Sequence, residues 1–293
     1  MRYGIMFANS GPLAEGATAA GCMRAAEAAG IESAWTVEHV LVPVDYESTY
    51  PYARGGRMPG GESVAIPDPL VWLAYVAGVT EKLLLGTGIL ILPQRNPAIT
   101  AKEVATLDRL SGGRVRLGIG VGWLEEEFDA LGVPFEGRGR RTDAYVEAMR
   151  ALWTGEQVTL DDGYHSWDRA VSLPTPTNGS VPIIVGGHSK AAARRAGRLG
   201  DGFFPGKGDP AELAELFDIV RQTAADAGRD PETIEFTAGT RGLAGDDPIG
   251  AVEEMAALGV GRLIITPLAF DEASAADAYG QFAETIIAPT AHL

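Results

Sequence analysis

Cysteine is almost missing from this 293-residue sequence, with Cys22 the only one. A single thiol excludes an intramolecular disulfide and a cysteine-based zinc site, and it fits a reducing, cytoplasmic setting. Basic residues are also in short supply, 24 Lys and Arg against 39 Asp and Glu, for a formal charge of −15. Nucleic acids and anionic membranes are held by clustered lysine and arginine, so neither is expected as a partner and a small molecule is. Histidine is scarce, and no two of the four have metal-ligand spacing, so no metal site is expected. Long apolar runs are lacking as well. The stretch 83–93 is broken by Gly86 and Gly88 and falls short of the ~20 residues that span a bilayer. The opening Met1-Arg2-Tyr3-Gly4 leads straight into a strand-like segment, without the apolar run and cleavage site of an export signal, so a soluble chain is expected.

What the sequence has is apolar bulk and glycine: 46 % hydrophobic residues and 38 Gly. At roughly 100–200 residues per domain, the length allows two small domains or one large α/β barrel. Eight segments read as strands: 3–8, 33–37, 83–92, 115–120, 183–185, 202–204, 234–238 and 262–265. Several are continuously apolar, the pattern of strands buried on both faces of a parallel sheet. Between them lie amphipathic helical segments at 18–29, 68–77, 97–110, 138–153, 189–199, 210–227, 248–258 and 273–287, several stopped by a glycine. Eight strands alternating with helices is the count of a (β/α)8 TIM barrel, and no linker divides the chain, so one domain over 1–293 is expected. The rhythm fails twice, in a long loop at 40–67 and in an expected hairpin around Asp162-Gly163 at 157–176. Loops of such length are usually functional, and the first follows a strand's C-terminal end, where barrel active sites lie.

Several motifs carry chemistry. Val185-Gly186-Gly187-His188-Ser189-Lys190 is a strand end, a diglycine turn and a helix start. Glycines let backbone approach a ligand, and the first helical N–H groups attract anions, so it reads either as a phosphate cradle or as a helix capped by Ser189. Gly187-His188-Ser189-Lys190-Ala191 also fits a hydrolase elbow except for its last residue, but the only downstream histidine is His292 near the end. Gly118-Ile119-Gly120-Val121-Gly122-Trp123 lacks the third glycine of a dinucleotide fingerprint, yet Gly120 and Gly122 leave room at a strand end for a flat ring. The acids Glu125, Glu126 and Glu127 that follow read as a solvated first helical turn. Glu38-His39 ends the second strand, where a histidine serves proton transfer near neutral pH or forms a hydrogen-bonded wall. Arg95 suits a carboxylate or a phosphate, a surface position or a helix cap. Tyr46, Tyr50, Tyr52, Arg54 and Arg57 crowd the 40–67 loop, as in a lid over an anionic or ring-shaped substrate or a loop stapled down by its tyrosines.

In this order the pieces resemble the bacterial luciferase-like monooxygenase family, most closely its branch of coenzyme F420-dependent oxidoreductases. The carriers are Glu38-His39-Val40, the run Leu85-Gly86-Thr87-Gly88-Ile89-Leu90-Ile91-Leu92-Pro93-Gln94-Arg95-Asn96-Pro97, the segment 105–114, Gly118 to Trp123 with Glu126-Glu127-Phe128, and Gly186-Gly187-His188-Ser189 leading to 200–203. The resemblance implies a barrel with coenzyme F420, or alternatively FMN, at its C-terminal mouth, and a non-prolyl cis peptide at Gly88–Ile89 backing the ring. It implies that Gly186, Gly187, His188 and Ser189 hold the cofactor phosphate, that Gly120 and Gly122 line the site, and that Glu38 and His39 lie beside the reactive face, His39 passing the proton. With F420 the reaction is hydride transfer to or from a small organic molecule. With FMN it is monooxygenation fed by a separate reductase. Homodimers are common in the family. Sugar-phosphate dehydrogenases of the F420 branch carry an acid where this chain has Val121 and Trp123 and an aromatic where it has Val42-Pro43, which argues against a sugar phosphate. The lack of an arginine in the fourth-strand segment favours F420 over FMN.

Overall fold

The computed structural model describes residues 1–53 and 55–293, so Arg54 lies outside the described residues. Eleven strands are found: β1 (Arg2–Ile5), β2 (Ser33–Thr36), β3 (Leu84–Thr87), β4 (Leu90–Ile91), β5 (Val115–Gly120), β6 (Val158–Asp161), β7 (Ser166–Ala170), β8 (Ile183–Gly186), β9 (Gly202–Phe204), β10 (Glu235–Gly239) and β11 (Val260–Ile265). The helices are α1 (Gly16–Ala28), α2 (Pro69–Ala77), α3 (Pro97–Ser111), α4 (Glu125–Ala130), α5 (Arg138–Trp153), α6 (Lys190–Leu199), α7 (Pro210–Asp226), α8 (Pro248–Ala257) and α9 (Glu272–Phe282).

The large sheet is parallel throughout and runs β3-β2-β1-β11-β10-β9-β8-β5, and a further β3–β5 pairing closes it into the expected (β/α)8 barrel. The third staves of sequence and structure differ in one respect. The single strand expected at 83–92 is two pieces, β3 and β4, on either side of a cis Gly88–Ile89 peptide, and β4 pairs with the C-terminal end of β5 through Leu90↔Ile119 and Ile91↔Gly120. The two departures from the βα rhythm are as expected. Among the described residues, 40–67 holds no strand and no α-helix, and β6 and β7 form an antiparallel hairpin whose turn is tied by Asp162 accepting from the Tyr164 and His165 amides.

Local chemistry explains the helix ends. Asp68, Asn96, Ser189, Asp209, Asp247 and Asp271 each accept a first-turn N–H at the start of a helix, which supplies a donor group with the partner it would otherwise lack. Gly112 closes α3 with φ of 71°, a conformation that costs other residues dearly.

Two cores result. The larger lies between sheet and helices, and Cys22 is fully buried in it, as a small hydrophobe would be. The smaller fills the barrel: Trp35, Ile184 and Ile264, with Met6 and Phe204 packed on them. Glycines make room for the indole, since a Cβ on Gly86 would sit 2.5 Å from Trp35 Cδ2 and one on Gly4 would sit 2.8 Å from Trp35 Nε1. Below Trp35 the barrel floor holds Arg262, fully buried, which donates to Glu32 Oε1 at 2.9 Å and pairs with Glu235. The floor and core are thus filled, and the C-terminal rim is the end at which barrel active sites are built.

Candidate active site at the barrel mouth

Three residues beyond β2, at this rim, stands His39. Its Nδ1 lies 2.9 Å from Glu127 Oε2, and its ring packs edge-on against Trp123 at 5.7 Å. Glu127 is fully buried, and its other oxygen, Oε1, accepts from the Val40 and Leu41 amides at 2.7 and 3.3 Å. This corrects the reading of Glu125, Glu126 and Glu127 as a solvated turn. Only Glu125 faces water. Glu126 accepts from the Glu47 and Ser48 amides at 2.6 and 2.9 Å, and the Glu125 amide donates to Ser48 Oγ at 3.1 Å. Burial alone would raise the Glu126 carboxyl, but hydrogen bonds from Ser48 and from the Glu47 amide pull it down from 4.5 to about 2. Helix α4 therefore holds both the stretch after His39 and the middle of the 40–67 loop.

That loop turns its aromatics over Trp123. Tyr46 and Tyr50 meet the indole edge-on at 5.4 and 5.2 Å, and Tyr52 meets Tyr50 at 5.4 Å. Burial, with the neighbouring Tyr52 and Tyr46, pushes the Tyr50 hydroxyl up to about 12. Tyr52 reaches across the mouth to the backbone of His188 and covers Gly206. Arg57 stacks over the Tyr46 ring at 4.4 Å and donates to the Tyr46 carbonyl, and the Tyr46 hydroxyl accepts from the Met58 amide at 2.9 Å. Tyr46 and Arg57 are thus the loop's internal staple around a cavity of about 210 Å³.

Glu38 has a different environment from His39. Its Oε1 accepts from Arg95 Nε at 2.8 Å, its Oε2 accepts from the Ile91 amide, and its side chain is 2 % exposed. Burial pushes this carboxyl up, while Arg95 and the Ile91 amide pull the other way. Arg95 also donates to Asp68 at 2.6 Å, so this arginine is spent inside the protein. Both Glu38 oxygens point at the protein's own groups, which makes Glu38 a tie between the ends of β2 and β4 and not a group turned toward a ligand.

Across the rim, the room left by two glycines is filled by one side chain. A Cβ on Gly120 would lie 2.6 Å from Ile89 Cδ1, and one on Gly186 would overlap Ile89 Cγ2. The isoleucine after the cis peptide therefore seats itself over β5 and β8. Gly88 faces inward, where its Cβ would lie 3.0 Å from Met6 Sδ. Gly122 has φ of 78° and lies under Phe128 and Ile91, so its missing side chain serves packing.

The turn into α6 has the cradle shape. Gly187 has φ of 119°, and Ser189 Oγ accepts from the Ala192 amide at 3.1 Å, the N-cap role. His188 Nε2 lies 2.8 Å from Glu212 Oε2, and its buried Nδ1 has no partner among the described residues. The hydrolase reading of Ser189 fails on distance along the barrel. His292 belongs to a tail bound at the opposite end, where the Met1 ammonium donates to the Thr290 carbonyl at 2.9 Å and Tyr3 Oη meets Thr290 Oγ1 at 2.7 Å. Among the described residues no three His, Cys, Asp or Glu side chains come together as metal ligands, and no helix is long and apolar enough to cross a membrane.

The family model of the luciferase-like monooxygenases matches residues 1–287. The chain belongs to this family. An uncharacterized protein of Mycobacterium tuberculosis is 36 % identical to this luciferase-like chain over 206 residues, 70 % of this chain and 71 % of its own. An F420-dependent glucose-6-phosphate dehydrogenase of Nocardia farcinica is 38 % identical over 189 residues, 61 % of this chain and 54 % of its own. Among solved structures, a coenzyme F420-dependent tetrahydromethanopterin reductase from Methanopyrus kandleri superposes with a TM-score of 0.77 at 19 % identity, over 98 % of this chain and 99 % of that one. The luciferase-like barrel read from the motifs is thereby established. What the motifs missed is the inward role of α4, read as a solvated first helical turn, whose Glu126 and Glu127 hold the stretch after His39 and the middle of the 40–67 loop.

Proposed function

We propose that this luciferase-like protein is a cytoplasmic, single-domain oxidoreductase that uses coenzyme F420, with FMN as the alternative, to move a hydride to or from a small organic substrate. The observation that carries the reading is His39, held at Nδ1 by Glu127 at 2.9 Å, on the rim where barrel chemistry is performed. The donor set fits an anionic ring cofactor: the left-handed Gly187, the first turn of α6 and the unpartnered, buried His188 Nδ1 suit a phosphate. Gly186, Gly187, His188 and Ser189 would hold that phosphate, and Ile89 over Gly120 would back the ring. When bound, the deazaflavin supplies the carbon that exchanges the hydride. His39 holds or takes up a proton at Nε2. Trp123, Tyr46, Tyr50 and Tyr52 exclude water from above. Glu38 is a positioning residue that ties the end of β2 to Ile91 and so fixes His39 relative to Ile89.

The choice of F420 is supported by the similarity of this chain to F420-dependent proteins. The family's description favours a second reading, a monooxygenase that takes reduced FMN from a partner reductase. Titration of the purified protein with F420 and with FMN, followed by fluorescence quenching, separates the two. Saturable F420 binding is expected, and tight FMN binding with none for F420 overturns the first reading. We further propose a homodimer, which sedimentation of the purified chain checks.

A further inference from the structure

We propose that Glu127 is the positioning residue of His39: one buried carboxylate holds the imidazole with its proton on Nδ1 and presents Nε2 as the lone pair. This rests on the functional reading of His39, which places the proton transfer at Nε2, and adds to it what selects that nitrogen. Three observations carry it. Glu127 is fully buried, and a carboxylate can only accept, so the atom 2.9 Å from its Oε2 must bring a hydrogen. Its Oε1 accepts from the Val40 amide at 2.7 Å and the Leu41 amide at 3.3 Å, so the carboxylate cannot rotate away without breaking both. The ring's far nitrogen is the one left over: among the described residues His39 Nε2 has no hydrogen-bond partner, yet it is not sealed from solvent as His165 Nδ1 and His188 Nδ1 are. A second nitrogen fixed through its neighbour in this way is the usual means by which a protein selects an imidazole tautomer. The same carboxylate ties the first residues of the lid to the imidazole. Seating the loop and setting the tautomer are therefore one event.

Glu127→Gln tests the assignment, because its amide keeps an oxygen for Val40 and Leu41 and turns an N–H donor toward Nδ1. The readout is the pair of imidazole nitrogen shifts of His39 by NMR of histidine-labelled, ligand-free protein, at a pH where those shifts themselves show a neutral ring, with the signal assigned by its loss in His39→Asn. The wild-type protein is expected to show a protonated Nδ1 and a bare Nε2, and Glu127→Gln the exchanged pattern. A wild-type ring protonated on Nε2 overturns the proposal, as does an unchanged pattern in a folded Glu127→Gln. Where that variant does not fold, the wild-type pattern alone decides. Absence of F420 binding to wild-type protein would overturn the functional reading and is a separate result, since the tautomer is read without ligand.

Discussion

Ile89, Gly120 and Gly186 form one steric unit at the rim, and the contacts of their missing Cβ atoms predict how each tolerates change. Gly186→Ala is expected to cost about 1–3 kcal/mol, the usual range for overpacking. The cost should shrink in an Ile89→Ala background, where the colliding methyl is gone, and urea unfolding of the double-mutant cycle measures that coupling. Gly118→Ala should behave otherwise, because its Cβ would overlap the Thr87 carbonyl oxygen, which no side-chain truncation removes. Arg95→Ala leaves the buried Glu38 carboxylate unpaired and is expected to destabilise by about 3–5 kcal/mol in the same assay, with part of the loss recovered by Glu38→Gln. At this scale the sequence reveals kinds of residue and hides their partners. Glycines at strand ends were readable as places needing room. That the room belongs to Ile89 depends on strands 30 to 100 residues apart coming together in the barrel. The Glu38–Arg95 pair, 57 residues apart, leaves no local trace either.

Helix α4 is the element that the strand and helix count passed over, yet its apolar spacing was a usable signal. Leu124, Phe128 and Leu131 stand three or four apart, and Glu127 lies on that same face, where a helix turns its side chains inward. A run of three acids masks this because hydrophilicity alone assigns all of them to water. The hold of α4 on the 40–67 loop can be titrated. Glu126 is held at about 2 when folded against 4.5 ordinarily, so its contribution is fully present above 4.5 and fades as the pH falls toward 2. Acidification through that window is expected to release the 40–67 loop from α4, seen as faster proteolytic nicking of the loop. In Glu126→Gln this pH dependence should vanish. The hairpin β6–β7, in contrast, was legible from Asp162-Gly163 because its turn chemistry is local.

For the molecule as a whole, the count of strands decided the architecture and the pairing of β3 with β5 closes it. Closure also brings the chain ends together at the barrel floor, where Thr290, fully buried, joins Tyr3 and Met1. Thr290→Val leaves the Tyr3 hydroxyl without that partner and is expected to cost about 1–3 kcal/mol, read as a lowered thermal midpoint. The charge of −15 does not bar an anionic ligand in this arrangement, because backbone N–H groups at the start of α6 act at short range where distant charges are screened. The attachment of the 40–67 loop to α4 has a bearing on engineering. Because the loop's amides and His39 hang from two glutamates some 80 residues downstream, the loop is no free-standing cassette. A transplant between relatives that carries residues 40–67 without 124–131 would arrive without the two carboxylates that hold its start and middle, and the smallest unit that can be exchanged intact is the pair.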